Sequence, residues 1–333
     1  MAKTTLLSGS YTGEGLAVLT LDTQTGSLEF LRSFPGTPDA SWVVFNATTR
    51  TVYITDEMAG RVGAFRLSAD ATELTPLGYR STGAKYPCYL ALSPDGKHLA
   101  VGNYGDDSVP VYPLADDGSL GEPQVLHGTQ PAETGHAHWV QWSPEGDSLH
   151  VVDLGHDEVR AYAWDAATAS FGPPKTVYGA PKGAGPRHLA FHPNGKFAYI
   201  FTEYAETLAA LRREPDGDLV EIETLSALPV SFNGESTGAH IQLNPAGTVA
   251  YVSNRGHNSI SVFAIAADGG ISLQQVVDCG GSWPRFFLLI GEHLIVANQE
   301  SEDLICFSVA SDGTLNQSGA PFPLTKPVCL LPI

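Results

Sequence analysis

The chain has 333 residues, 43% of them apolar, which is enough to fill a sizeable core and excludes a disordered chain. With 35 Gly and 23 Pro but only 16% charged residues, it reads as many short strands and tight turns with few exposed helical faces. Its 18 basic against 36 acidic side chains give a formal charge of −18, which repels nucleic-acid phosphates and anionic lipid and sets both aside as partners.

In chain order the same motif returns: an apolar strand, a turn, a second apolar strand, then a short polar residue. The first strand is Thr4 to Ser10 (TTLLSGS). Six hairpins follow, at Ser41 to Asp56 (SWVVFNATTRTVYITD), Cys88 to Asn103 (CYLALSPDGKHLAVGN) and His138 to Asp153 (HWVQWSPEGDSLHVVD), then Arg187 to Thr202 (RHLAFHPNGKFAYIFT), His240 to Asn254 (HIQLNPAGTVAYVSN) and Arg285 to Asn298 (RFFLLIGEHLIVAN). Each predicts two period-2 strands around a tight reversal. The last residues of successive copies, from Ser10 to Asn298, lie 44 to 52 residues apart. A second hairpin after most copies is marked by Thr25-Gly26, Asp117-Gly118, Asp216-Gly217, Asp268-Gly269 and Asp312-Gly313. Four strands per period is the signature of a propeller blade, and radial closure removes exposed sheet edges. The terminal KPVCLLPI supplies the strand missing from the unit that holds Thr4 to Ser10. The expectation is therefore all-β: one domain over residues 1–333, a seven-bladed β-propeller with four antiparallel strands per blade. Its N- and C-terminal strands share one blade.

Cys88, Cys279, Cys306 and Cys329 are separated by 191, 27 and 23 residues, which matches neither a disulfide scaffold nor a zinc site. They read as reduced, buried thiols. The opening MAKTTLLSGSYTG lacks a signal-peptide core, and the most apolar stretch, Phe286 to Val296, is broken by Gly291, Glu292 and His293. A reducing, cytoplasmic location is expected.

In a propeller the inner strands face a common axis, so chemistry should appear where a repeat position departs from its pattern. The position opening the motif holds Ser41, Cys88, His138, Arg187, Ala239 or His240, and Arg285. The position after its last residue holds Tyr11, Glu57, Tyr104, Leu154, Glu203, Arg255 and Gln299. His138, Arg187, Glu203 and Arg255 are the candidate catalytic residues: in so acidic a chain, clustered arginines suit an anionic substrate. Tyr104, His136, His188, Asn254 and Arg285 are candidate substrate contacts. The plainer alternative for each arginine is a salt bridge, with Glu203 as the partner. His136 and His138 could form half a zinc site, but no third ligand stands at a familiar spacing, so neither metal nor cofactor is expected. The Asp and Asn residues that end the copies read as turn caps. Gly234 to Gly238 spells Gly-x-Ser-x-Gly, yet a strand rather than a helix follows, so Ser236 reads as a loop residue.

The runs GHAHWVQWSPEGDSLHVVDLGHDEV, GPRHLAFHPNGKFAYIFTEY, AYVSNRGHNSISVF and WPRFFLL…LIVANQES resemble the seven-bladed propeller lactonase family, and the resemblance spans the whole chain. That family includes bacterial-type 6-phosphogluconolactonase and fungal 3-carboxy-cis,cis-muconate cyclase. The active site of the cyclase branch, carried over by motif, falls on His138, Arg187, Glu203 and Arg255. The resemblance implies hydrolysis of a sugar-acid lactone, with 6-phosphogluconolactone first. Cycloisomerisation of a carboxymuconate is the alternative chemistry, and a non-catalytic propeller that binds proteins is the alternative class. The expected partner is a small anionic lactone; the oligomeric state is left open.

Overall fold

A computed structural model describes residues 3–333. Among them the strands form seven sheets. In the first blade the last strand, Pro327–Pro332, pairs with Lys3–Ser10, followed by Leu16–Asp22 and Leu28–Phe34, so the two chain ends share it. Blades two to four open on the hairpins Val43–Asn46 with Thr51–Asp56, Pro87–Leu92 with His98–Asn103, and Ala137–Trp142 with Ser148–Asp153. Blades five to seven open on Pro186–Phe191 with Phe197–Thr202, Thr237–Leu243 with Val249–Arg255, and Pro284–Ile290 with His293–Asn298. All six predicted hairpins are present. Two blades depart from the regular pattern. The third ends on the short strand Gln124–Leu126, where Pro110, Pro113 and Pro123 withhold backbone donors. The seventh carries an added two-residue strand, Phe322–Pro323, paired with Asp303–Val309.

The chain divides into two compact units, one of Met1–Leu6, Leu19–Phe30 and Ala180–Leu330, the other of Leu7–Val18, Leu31–Gly179 and Leu331–Ile333. In the first, Phe197, Tyr199, Phe201 and Leu208 of blade five pack on Ala250, Val252 and Phe263 of blade six. Tyr251 and Val262 then meet Phe287, Leu294 and Phe307 of blade seven. In the second, Tyr53, Val62 and Ala64 pack on Leu90, Leu99, Val101 and Tyr112.

A tyrosine latch recurs between neighbouring blades. The hydroxyl of Tyr199 donates to the Gly269 carbonyl (3.1 Å), that of Tyr251 to Gly313 (2.9 Å) and that of Tyr53 to Gly118 (2.8 Å). Each acceptor sits in one of the predicted Asp-Gly turns. At Gly313 the backbone has φ +86°, which a side chain would resist. Burial pushes the Tyr251 phenol up to about 12, so it stays a donor at any working pH. No helix among the described residues is long and apolar enough to cross a membrane. Tyr251→Phe leaves a buried carbonyl without its donor and should cost about 1–3 kcal/mol. The urea midpoint would fall with an unchanged slope; an unchanged midpoint would show that the latch carries no weight.

Candidate active site

The position opening each repeat is also where strand pairing slips. The register shifts between Pro87 and Tyr89, Ala137 and Trp139, Pro186 and His188, Gly238 and Ile241, and Pro284 and Phe286. The residues displaced there are Cys88, His138, Arg187, Ala239 with His240, and Arg285. A bulge re-aims its side chain out of the alternating faces of the sheet. Two residues earlier the backbone is left-handed at Asp39, Tyr86, Gly185, Trp283 and Lys326. In the same place the carbonyl accepts the N–H of the residue that follows the repeat. These bonds are Glu57 to Asp39 (3.3 Å), Tyr104 to Tyr86 (2.9 Å), Leu154 to His136 (2.9 Å), Glu203 to Gly185 (2.6 Å) and Gln299 to Trp283 (3.0 Å). In these five blades one backbone bond thus ties the two candidate columns together. In five copies the polar residue that ends the copy braces the next turn by reaching five places on: Asp56 to Arg61, Asn103 to Ser108, Thr202 to Thr207, Asn254 to Ser259 and Asn298 to Asp303.

In the unit containing Ala180–Leu330, Arg187 and Arg255 converge on one carboxylate. Glu203 Oε2 accepts from Arg187 Nε at 3.0 Å, and its Oε1 from Arg255 Nη2 at 3.1 Å. The side chains are only 3%, 6% and 15% exposed, in the order Arg187, Arg255 and Glu203. The same guanidiniums donate to consecutive carbonyls at the blade-six bulge, Arg187 to Ala239 (2.5 Å) and Arg255 to Gly238 (2.6 Å). Gly238 is there because a Cβ would lie 2.2 Å from the Thr202 carbonyl. Burial pushes the Glu203 carboxyl up, but Arg255 and Arg187, with Arg285 farther off, outweigh it and hold the group below the usual range. Two cations on one anion leave the cluster positive.

Behind Arg187 lies a buried imidazole pair. A guanidinium can only donate, so His188 Nε2 accepts from Arg187 Nη1 (2.8 Å), and the His188 proton sits on Nδ1, facing His240 Nδ1 at 3.1 Å. His240 is then neutral, with Phe286 and Phe287 against its ring. Asn254 is fully buried, its amide committed to Ser259 and Ser261. The Ser236 hydroxyl lies between the Glu206 carboxyl and the Arg255 carbonyl, so the Gly234 to Gly238 run straps Arg255 in place.

In the other unit, His136, His138 and Tyr104 form their own group. The Tyr104 ring stacks on His136 (centroids 4.5 Å apart) and meets His138 edge-on at 5.7 Å. His136 Nδ1 donates to the Tyr104 carbonyl (2.6 Å), and its backbone N–H donates to Asp153 (2.8 Å). Asp153 is held in turn by Arg160 (2.6 Å) and His156 (3.0 Å). Arg160, 1% exposed, also donates to the Tyr162 hydroxyl and the Asp107 carbonyl.

The description that matches this chain is "Lactonase, 7-bladed beta-propeller", over residues 5–332. The chain belongs to that lactonase family. It is 30% identical to the 6-phosphogluconolactonase of Bacillus subtilis, across 97% of this chain and 96% of that one. It is 27% identical to the 6-phosphogluconolactonase of Formosa agariphila, across 90% of each. The solved periplasmic gluconolactonase of Pseudomonas aeruginosa superposes with a TM-score of 0.91 at 29% identity, across 100% of this lactonase and 99% of that protein.

Sequence reasoning reached the columns of this lactonase but missed what supports them. Arg160 and Glu206 act through contacts made between strands, and His240 and Asp153, named only as a column position and a turn cap, do the same. Among the described residues no three His, Cys, Asp or Glu side chains gather as a metal site would need. Burial, then the Arg187 charge, holds His240 well below the ordinary 6.5. An unfolded imidazole takes a proton below that pH which the folded one refuses. Stability is therefore complete above pH 6.5 and lost below it, by up to about 1.4 kcal/mol per pH unit from this group. Urea midpoints at pH 7.5, 6.5 and 5.5 should fall less steeply in His240→Gln than in the unaltered chain. Equal slopes would mean that His240 is protonated in the fold.

Proposed function

We propose that this lactonase hydrolyses a sugar-acid lactone carrying a further anionic group, 6-phosphogluconolactone, to the open acid. The observation that carries the reading is the pair of buried guanidiniums sharing one carboxylate in a chain of charge −18. The names of the Bacillus subtilis and Formosa agariphila relatives support the same substrate. Water adds to the lactone carbonyl, an oxyanion forms, the acyl–oxygen bond of the ring breaks and the ring oxygen takes a proton. Arg187 and Arg255 hold the anionic group and stabilise the oxyanion, for which pre-aimed cations in a dry site are best suited. Glu203 orients both arginines; with each oxygen engaged and its carboxyl held low, it is a poor base. His138 passes the proton, the role an imidazole most often takes in general acid–base chemistry. Its assignment rests on its bulge column and on the family resemblance. Tyr104 and His136 are candidate substrate contacts, and Arg285 adds positive field at Glu203. The four cysteines are buried thiols, in keeping with a cytoplasmic location.

The test is turnover of 6-phosphogluconolactone, with 3-carboxymuconate alongside, for single variants. His138→Ala should lose about 10²- to 10⁴-fold in rate. Arg187→Ala and Arg255→Ala should each lose about 10²- to 10³-fold. Arg187→Lys should recover only part, because an ammonium lacks the planar two-donor fork. Near-normal rates in all of them on both substrates would overturn the site. Turnover should also survive exhaustive chelation; a loss rescued by calcium or zinc would move the chemistry to a metal.

A further inference from the structure

We infer that Trp283 is a positioning residue for Arg255, held in a strained backbone so that its indole face seats the guanidinium. Trp283 has φ +65°, a conformation that bulky residues rarely hold unless their surroundings impose it. The turn itself does not ask for an indole. At the matching places the chain has Gly185 in blade five, with φ +63°, and Tyr86 in blade three, with φ +56°, so the turn fixes the backbone and leaves the side chain open. Something other than the turn keeps a tryptophan there.

Its surroundings show what. The Trp283 N–H donates to Asn258 Oδ1 (2.9 Å), and its carbonyl accepts from Gln299 (3.0 Å). The same Asn258 oxygen accepts the N–H of Gly256 (3.2 Å), and the Asn258 carbonyl accepts from Cys279 (2.9 Å). One amide thus bonds the loop that leaves Arg255 to the turn that carries Trp283, so the two are placed together. The Arg255 guanidinium carbon lies 5.4 Å from the centre of the indole ring, within cation–π reach. Gly238 and Glu203 take hydrogen bonds from Arg255 Nη2. The indole adds a face against which the guanidinium plane rests.

This inference builds on the reading that Arg255 binds the substrate anion, and the experiment separates the two. W283F, W283L and W283G are compared in the full chain by three measurements. These are kcat and KM on 6-phosphogluconolactone, tryptophan emission titrated with inorganic phosphate, and the urea midpoint. W283L and W283G should lose about 3- to 30-fold in kcat/KM, mostly through KM, and W283F less, because a phenyl face still attracts the cation. W283G should keep a urea midpoint at or above that of W283L, since glycine takes this φ without strain. In the unaltered chain phosphate should change the emission, and the change should vanish in W283F, which leaves the other four tryptophans in place. Unaltered kcat/KM in W283L, or a phosphate response that persists in W283F, overturns the assignment. A loss that tracks the urea midpoint and is no smaller in W283F than in W283L also overturns it, as a purely structural role. If the unaltered chain turns over no lactone, the proposed substrate fails. Trp283 is then decided by the phosphate titration.

Discussion

One backbone hydrogen bond organises the molecule. In five blades it joins the carbonyl two residues before the position that opens the repeat to the N–H that follows the repeat. Because this link is made of main chain, it fixes where two side-chain columns stand and is indifferent to what they are. Cysteine, histidine or arginine can occupy the bulge without altering the strand around it. The fold supplies the places and the individual residues supply the chemistry, so a family built on this link can change its reaction while keeping its frame.

The electrostatics follow from what occupies those places. Taking two guanidiniums out of water is expensive, and the cost is offset by a paired carboxylate and well-placed acceptors. Glu203 and the consecutive carbonyls of Gly238 and Ala239 provide them. The imidazoles behind Arg187 fit the same logic, since a proton on His240 would set a third cation against the pair. The donors stand ready before any ligand arrives, so little reorganisation is needed when charge develops on a substrate.

Much of this was legible in the sequence. Period-2 strands with Pro-x-Gly turns, and the even spacing of Asp56, Asn103, Asp153, Thr202 and Asn254, gave the blades directly. Aligning the copies then singled out Arg187, Glu203 and Arg255, which the structure brings together within one unit. What escaped was anything made by register slips or by contacts between neighbouring strands. A bulge at Gly238 leaves no mark in an apolar pattern. Nor does a sequence say that Trp283 adopts a glycine's conformation, that Asp153 is held by a buried Arg160, or that the Tyr251 hydroxyl reaches a turn 62 residues on. The short strand Gln124–Leu126 and the extra Phe322–Pro323 reflect local proline chemistry that the repeat alone did not foretell.

The pairing of Pro327–Pro332 with Lys3–Ser10 has a consequence for biosynthesis. At about 5–20 residues per second a ribosome needs on the order of 15–70 s to make the chain. For nearly all of that time the earlier strand, apolar through Leu6 and Leu7, has one edge without its partner. Such an edge is the surface that invites pairing with another nascent chain. The blade that holds Lys3–Ser10 is therefore completed only once Pro327–Pro332 has been made.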